Sequence, residues 1–189
     1  IELGRVIERD RSAEQLRFLA DHDALTGLPN LRVGRDRLNQ LVASGTRQKQ
    51  PFALLYLDLD GFKKINDSRG HEAGDKALKV VAGRIAGALR DMDTVARIGG
   101  DEFFVLLSGI ESKASVALVA EKLIEAISRP MPDVAGVDTL GVSIGIARCP
   151  EDARQADELS RLADRAMYAV KNRGKNGYRF HEDLEPAER

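Results

Sequence analysis

Two short acidic segments of this 189-residue chain carry residue types suited to chemistry: Asp58-Leu59-Asp60 and Gly99-Gly100-Asp101-Glu102. The first closes an apolar run, Phe52 to Leu57, whose length and composition predict a strand covered on both faces. The second predicts a hairpin turn between two short strands. Brought together, the four acids would crowd one rim, and like charges at that range repel unless a hard cation lies between them. Mg²⁺ is commonly held by one or two carboxylates together with substrate phosphates, so the pattern points to a metal and a triphosphate bound in one place. Each piece alone has a plainer reading, since Gly-Gly is a good turn in any protein and Asp-x-Asp at a strand end is often just solvated. Two other motif readings fail. Asp58-Leu59-Asp60-Gly61 starts like a calcium loop, but Phe62 and Arg69 stand where that loop needs oxygen ligands. Gly141-Val142-Ser143-Ile144-Gly145 has the letters of a nucleophile elbow, yet it lies inside an alternating strand pattern and reads as structural.

The elements that must position these acids follow from periodicity. Residues 1–20 are charge-rich (Glu8-Arg9-Asp10-Arg11), with Val6, Ala13, Leu16 and Ala20 in a loose heptad, which predicts a connecting helix, as an exposed linker or a weak coiled coil. After Gly27-Leu28-Pro29, Asn30 can cap a helix with Leu31, Leu38, Leu41 and Val42 on one face. Leu78, Val81, Ile85 and Leu89 form one helical stripe, and Val116, Val119, Leu123 and Ile127 a second. Leu140, Val142, Ile144 and Ile146 alternate as a strand. Leu159, Leu162, Ala166, Met167 and Val170 mark a last helix, before a short closing strand, Tyr178 to Phe180. From Phe52 to Ala147 the order is strand, helix, strand, strand, helix, strand. This predicts an α/β (α+β) fold with a ferredoxin-like βαββαβ core, additional helices and a C-terminal strand. In that topology the first two strands run parallel through a right-handed crossover, and the third returns antiparallel beside the first. The carboxyl end of the first strand then meets the hairpin turn at one edge, which is the convergence the acids require.

Bulk composition narrows the function classes. Lys and Arg number 29 against 30 Asp and Glu, so no overall field holds a nucleic acid by counterion release. Aromatic residues are 5% and Trp is absent, which argues against a stacking platform for single strands. The single Cys149 forms no internal disulfide, and no apolar run approaches the roughly 20 residues that cross a bilayer. A cytoplasmic setting is expected, in one domain with short additions. A start at Ile1 suggests a piece of a longer protein, with a membrane-anchored whole as one alternative.

At this point a resemblance enters. Arg97-Ile98-Gly99-Gly100-Asp101-Glu102-Phe103 resembles the signature of the GGDEF-domain diguanylate cyclases. Further segments resemble that family in the right order: Asp23-Ala24-Leu25-Thr26-Gly27-Leu28-Pro29-Asn30, Asp58 through Asp67, Gly70-His71-Glu72-Ala73-Gly74-Asp75, Ala163 through Lys171, and Gly174-Lys175-Asn176. The likeness runs from about Asp21 to Phe180 and implies residues 1–20 as a signalling helix, 21–182 as the cyclase domain and 183–189 as a tail. It also implies a fold similar to nucleotidyl cyclase and polymerase palm domains. The implied reaction joins two GTP into cyclic di-GMP and two pyrophosphates in a homodimer, with Mg²⁺ or Mn²⁺ on Asp58, the Leu59 carbonyl and Asp101. Asp101 and Glu102 would be catalytic. Asn66 and Asp75 would read guanine, His71 would stand near it, and Lys63, Lys171 and Lys175 would line the triphosphate, assisted by backbone N–H groups near Gly61 and Phe62. Arg90 and Asp93 form the Arg-x-x-Asp pair that in this family binds cyclic di-GMP as an inhibitor. An upstream sensor and no nucleic-acid partner complete the implied picture.

Three positions depart from the common family pattern: Leu31 stands for an Arg, Asp101 for a Glu variant, and Lys175 for an Arg, which turns a bidentate phosphate grip into a point contact. Two rival classes remain in view. One is a domain that binds GTP or cyclic di-GMP only to regulate a neighbour, against which the intact Asp58, Asp101 and Glu102 argue. The other is a cyclase that accepts ATP on one side, which Asp75 opposes, because a carboxylate accepts from guanine's ring N–H donors and suits adenine poorly.

Overall fold

The computed structural model describes residues 15–188 apart from 49, 111 and 135. Residues 15–21 are helical, with Leu16, Phe18 and Leu19 exposed, while Val6 and Ala13 of the expected heptad lie outside the described residues. The remaining elements are α1 (Leu31–Gln48), β1 (Phe52–Asp60), α2 (Phe62–Arg69), α3 (His71–Ala88), β2 (Thr94–Gly99), β3 (Glu102–Ser108), α4 (Lys113–Ile127), β4 (Gly141–Cys149), α5 (Ala156–Asn172) and β5 (Gly177–Phe180). They form one five-stranded sheet in the order β2-β3-β1-β4-β5. β3 pairs antiparallel with both β1 and β2, β1 pairs antiparallel with β4, and β5 joins β4 in parallel. The third strand of the core therefore lies between the first two, as the split βαβ order requires.

Strand parity divides the core in two. Leu55, Leu57, Phe103, Val105, Ile144 and Ile146 point to the face covered by α3 and α4, where Leu78, Val81, Ile85, Val116, Leu123 and Ile127 meet them. Phe52, Leu54, Phe104 and Leu106 point to the opposite face, against Leu38 of α1 and Leu159, Leu162 and Ala163 of α5. Because both faces are covered, β4 does not alternate between buried and exposed as its sequence suggests. Val142 through Ala147 are all buried, Ser143 included. At Gly145 an added Cβ would lie 2.0 Å from the Ala163 carbonyl and 2.1 Å from the Met167 amide, so the backbone of α5 rests directly on this strand. The Gly-x-Ser-x-Gly letters are thus structural.

One expectation for a single residue changes. Asn30 caps α1 as expected, its Oδ1 accepting from the Val33 amide at 3.1 Å. Leu31, however, is exposed rather than packed with Leu38, because the first turn of α1 overhangs an open groove of about 1000 Å³ instead of the sheet. Beyond β5, Leu184 is 2% exposed and packs against Ala166 and Ala169 of α5. No helix among the described residues is long and apolar enough to cross a membrane.

Candidate functional site

The even parity that sends Leu54 under α5 also sends Asp58 and Asp60 there, and Glu102 sits directly opposite Asp58 across the β1–β3 ladder. The apolar strand face becomes acidic over its last residues, at the edge where the hairpin turn lies. The Leu59 amide donates to the Asp101 carbonyl at 3.2 Å, which ties the turn to the end of β1. Burial pushes the Asp101 carboxyl above its ordinary value, and the charge of Asp58 adds to the effect. Glu102 is raised by burial and then by Asp58, Asp101 and Asp164. These shifts record the crowding expected of acids that meet at one rim.

One of the four acids is otherwise employed. Asp60 accepts from the Ser143 hydroxyl at 2.8 Å and from the Asn176 amide at 2.9 Å, and its side chain is 9% exposed. It anchors the turn after α5 and has little surface left for a ligand. The cation facing the group is Lys171, whose Nζ lies 2.6 Å from Asp58 Oδ1 and 3.6 Å from Asp60 Oδ1. Burial opposes the Lys171 charge, but its hydrogen bond to Asp58 and the charges of Asp58, Asp60 and Asp101 outweigh this and hold its pKa above the ordinary lysine value.

The turn itself is buttressed from below. Gly100 has φ 52°, in the left-handed region that glycine enters freely. Arg97 donates to the Gly100 carbonyl from Nε at 3.1 Å and from Nη2 at 2.8 Å, and its Nη1 reaches both Asp23 oxygens at 3.0 and 3.1 Å. Asp23 also accepts from the Thr26 amide and hydroxyl. Burial would raise the Asp23 carboxyl, but these bonds from Thr26 and Arg97 hold it below its ordinary value. The Arg97 amide donates to the Pro29 carbonyl, and Asn30 reaches Ala20. The groove beside α1 is lined by Arg32, Arg35, Arg97, Gly99 and Ser160 among others, and not by Asp58, Asp101 or Glu102.

The residues expected to read a base fall on neighbouring helices. Asn66 is on α2 and exposed Asp75 on α3, next to Gly74, where an added Cβ would lie 1.9 Å from Asn66 Oδ1. A side chain at Gly74 would displace the Asn66 amide. Gly61 starts α2, buried Phe62 follows it, and Lys63 and His71 are both exposed. Lys175 is exposed in the turn after α5. Arg90 and Asp93 already hold each other: Nε and Nη2 of Arg90 donate to Asp93 at 3.1 and 2.9 Å, and Nη2 also reaches the Ser108 carbonyl at 3.0 Å. Asp93 leads directly into β2, so this pair and the hairpin turn are the two ends of one strand.

The sequence profile of the family described as diguanylate cyclase, GGDEF domain, matches residues 20–177. The chain belongs to this family. It is 45% identical over 172 residues to the bifunctional diguanylate cyclase/cyclic di-GMP phosphodiesterase MucR of Pseudomonas aeruginosa, covering 91% of this chain and 25% of that protein. The GGDEF domain of TpbB (YfiN) from Pseudomonas aeruginosa superposes with a TM-score of 0.80 at 38% identity, over 85% of this chain and 94% of that one. The coiled coil and GGDEF domain of DgcB from Caulobacter crescentus, solved in complex with c-di-GMP, gives 0.83 at 28% identity over 95% of each chain. The chain spans a quarter of MucR and 39% of full-length TpbB from the same species.

Within this GGDEF domain, topology brought the acids of the β1 end and the hairpin turn to one rim, and the structure adds Lys171 against Asp58. Sequence reasoning missed the diversion of Asp60, the anchoring role of Asn176 and the Asp23–Arg97–Gly100 buttress. Asn176 and Asp23 stood inside recognisable motifs, but their partners lie 116 and 74 residues away in the chain.

Proposed function

We propose that this domain is a diguanylate cyclase that condenses two GTP into cyclic di-GMP, with two chains facing each other and each holding one GTP. The observation that carries the reading is the crowded group of Asp58, Asp101 and Glu102, with Lys171 against it, at the turn that bears the family signature. In the reaction the 3′-hydroxyl oxygen of each GTP forms a bond to the α-phosphorus of the other. The bond from that phosphorus to pyrophosphate breaks, and the hydroxyl proton leaves to a base. In this reading each rim holds one nucleotide, and the second comes from a partner chain.

The donor set fits Mg²⁺ or Mn²⁺. Asp58, the Leu59 carbonyl and Asp101 would hold the ion; burial first and then the charge of Asp58 raise Asp101 and Glu102, and a divalent cation would offset both. Mg²⁺ is commonly held by one or two carboxylates with substrate phosphates completing its shell. When bound, the ion supplies charge for the α-phosphate and lowers the pKa of the attacking hydroxyl. Asp101, at the turn beside the end of β1, is the candidate to accept the proton. Lys171 swings from Asp58 to the triphosphate, joined by Lys63 and Lys175. Backbone amides near Gly61 and Phe62 assist. Asn66 and Asp75 read the guanine edge, with His71 at its margin.

Cyclic di-GMP binds back at Arg90 and Asp93, whose guanidinium and carboxylate match its phosphates and guanine N–H groups. Product held there restrains β2 and hence the turn. A sensor attached upstream would act through residues 15–21, whose helix reaches the turn by way of Asn30 and Arg97. The test is Asp101→Ala: it should fold normally, because the residue sits in a turn and not in the core, and it should make no cyclic di-GMP. Turnover equal to the unaltered protein would refute the assignment.

A further inference from the structure

Three consecutive residues after α5 have positive φ: Gly174 at 114°, Lys175 at 65° and Asn176 at 45°. Asn tolerates the left-handed region and Gly enters it freely, but a Lys there is uncommon and persists only where its surroundings hold it. Two bonds come from within the domain, Lys175 N–H to the Val170 carbonyl at 3.1 Å and Asn176 N–H to Asp60 at 2.9 Å. A third fastening comes from outside the region that matches the family, which ends at residue 177.

That fastening is Glu188. Its Oε1 lies 2.7 Å from Arg173 Nε, just before the turn, and its Oε2 lies 3.3 Å from Arg179 Nη1, in the strand just after it. One carboxylate thus spans the turn from both sides, and it also accepts from the Glu185 amide at 3.1 Å. The segment that delivers it is well secured. Leu184 is buried against Ala166 and Ala169, Glu182 pairs with Lys113 and Arg148, and Asp183 pairs with Lys113. The Glu185 carboxylate, by contrast, lies 3.4 Å from Arg173, on one side of the turn.

We propose that Glu188 is a positioning residue of the triphosphate site: it staples the left-handed turn so that Lys175 is presented to the phosphates. This rests on the GTP reading, in which Lys175 contacts the triphosphate. The path to the rim is short, since Asp60 lies 3.6 Å from the Lys171 ammonium that holds Asp58. Without the staple, Lys175 relaxes toward ordinary backbone angles and its ammonium leaves the site. Asn176 remains tied to Asp60 from the strand side.

The experiment is a calorimetric titration of the whole chain in Mg²⁺ buffer with 3′-deoxy-GTP, which lacks the attacking hydroxyl and cannot turn over. Glu188→Ala should bind about tenfold more weakly, the worth of one charge-assisted contact. Glu188→Gln, which keeps an acceptor oxygen, should recover part of the loss and guards against a folding defect in the alanine variant. Glu185→Ala should bind normally. The decisive arm is a double-mutant cycle: in a Lys175→Ala background, Glu188→Ala should cost almost nothing further, because the contact it positions is already gone. Undiminished affinity in Glu188→Ala, or losses that add in the double variant, would overturn the staple. Failure of the unaltered chain to bind 3′-deoxy-GTP would instead overturn the GTP reading itself.

Discussion

Arg97 is the residue on which the position of the signature turn depends most visibly, and Arg97→Lys isolates that dependence. The guanidinium makes two bonds to the Gly100 carbonyl and two to Asp23, and its side chain is 12% exposed against 22% for Asp23. Lysine keeps the charge but offers one compact ammonium in place of a planar fork, so it can satisfy Asp23 or the turn carbonyl and not both. With half of the charged bonds gone from a largely shielded pair, the expected loss is about 2–4 kcal/mol. For a chain of this size that corresponds to a fall in melting temperature of roughly 5–15 °C if the loss is global, and less if only the hairpin opens. Asp101 rides on the turn, and a displacement of about 1 Å in a reacting group can cost on the order of 100-fold in rate. Thermal unfolding by circular dichroism gives the first quantity, and cyclic di-GMP formation at saturating GTP gives the second. A variant that melts within a degree of the unaltered protein and turns over at its rate would refute the buttress.

The partner in that pair makes a pH prediction. The Asp23 carboxyl is held below its ordinary 3.8, so its contribution to stability is complete above that pH and fades as the pH falls through the lower folded value. Asp23→Asn should therefore melt lower than the unaltered protein by a constant margin from about pH 5 upward, and the margin should shrink in acid below 3.8. A margin that grows in acid contradicts the assignment. Asp75→Ser should lower the preference for GTP over ATP in a competition assay, since a serine cannot accept two ring N–H bonds; unchanged discrimination places guanine reading elsewhere. Arg90→Ala should leave initial rates intact while abolishing the slowing seen as product accumulates, and calorimetry should show weaker cyclic di-GMP binding. Equal slowing in both proteins would remove Arg90 from any inhibitory site.

What the sequence made legible was whatever local patterns and known topology determine. The run from Phe52 to Leu57 announced a strand buried on both faces, and the split βαβ order then placed its acidic end beside the Gly99-Gly100 turn. What stayed hidden depended on contacts distant in sequence. Asp60 looked equivalent to Asp58, and only Ser143 and Asn176, 83 and 116 residues further on, make it an anchor rather than a ligand. Leu31 shares the heptad position of Leu38, but the first turn of α1 reaches past the sheet, so the same periodicity leaves one buried and the other exposed. Glu188 carried no motif at all. Its importance comes from two arginines on either side of a turn whose backbone angles cannot be read from residue types.

The central claim is that this domain joins two GTP across a pair of chains. Incubating the purified protein with GTP and Mg²⁺, and following products by mass as the protein concentration is varied, tests it directly. The account predicts cyclic di-GMP and pyrophosphate, formed at a rate that rises more steeply than linearly with protein while pairs are scarce, and none with ATP alone. GTP left unchanged, or linear cyclic nucleotides made at a rate proportional to single chains, would contradict it.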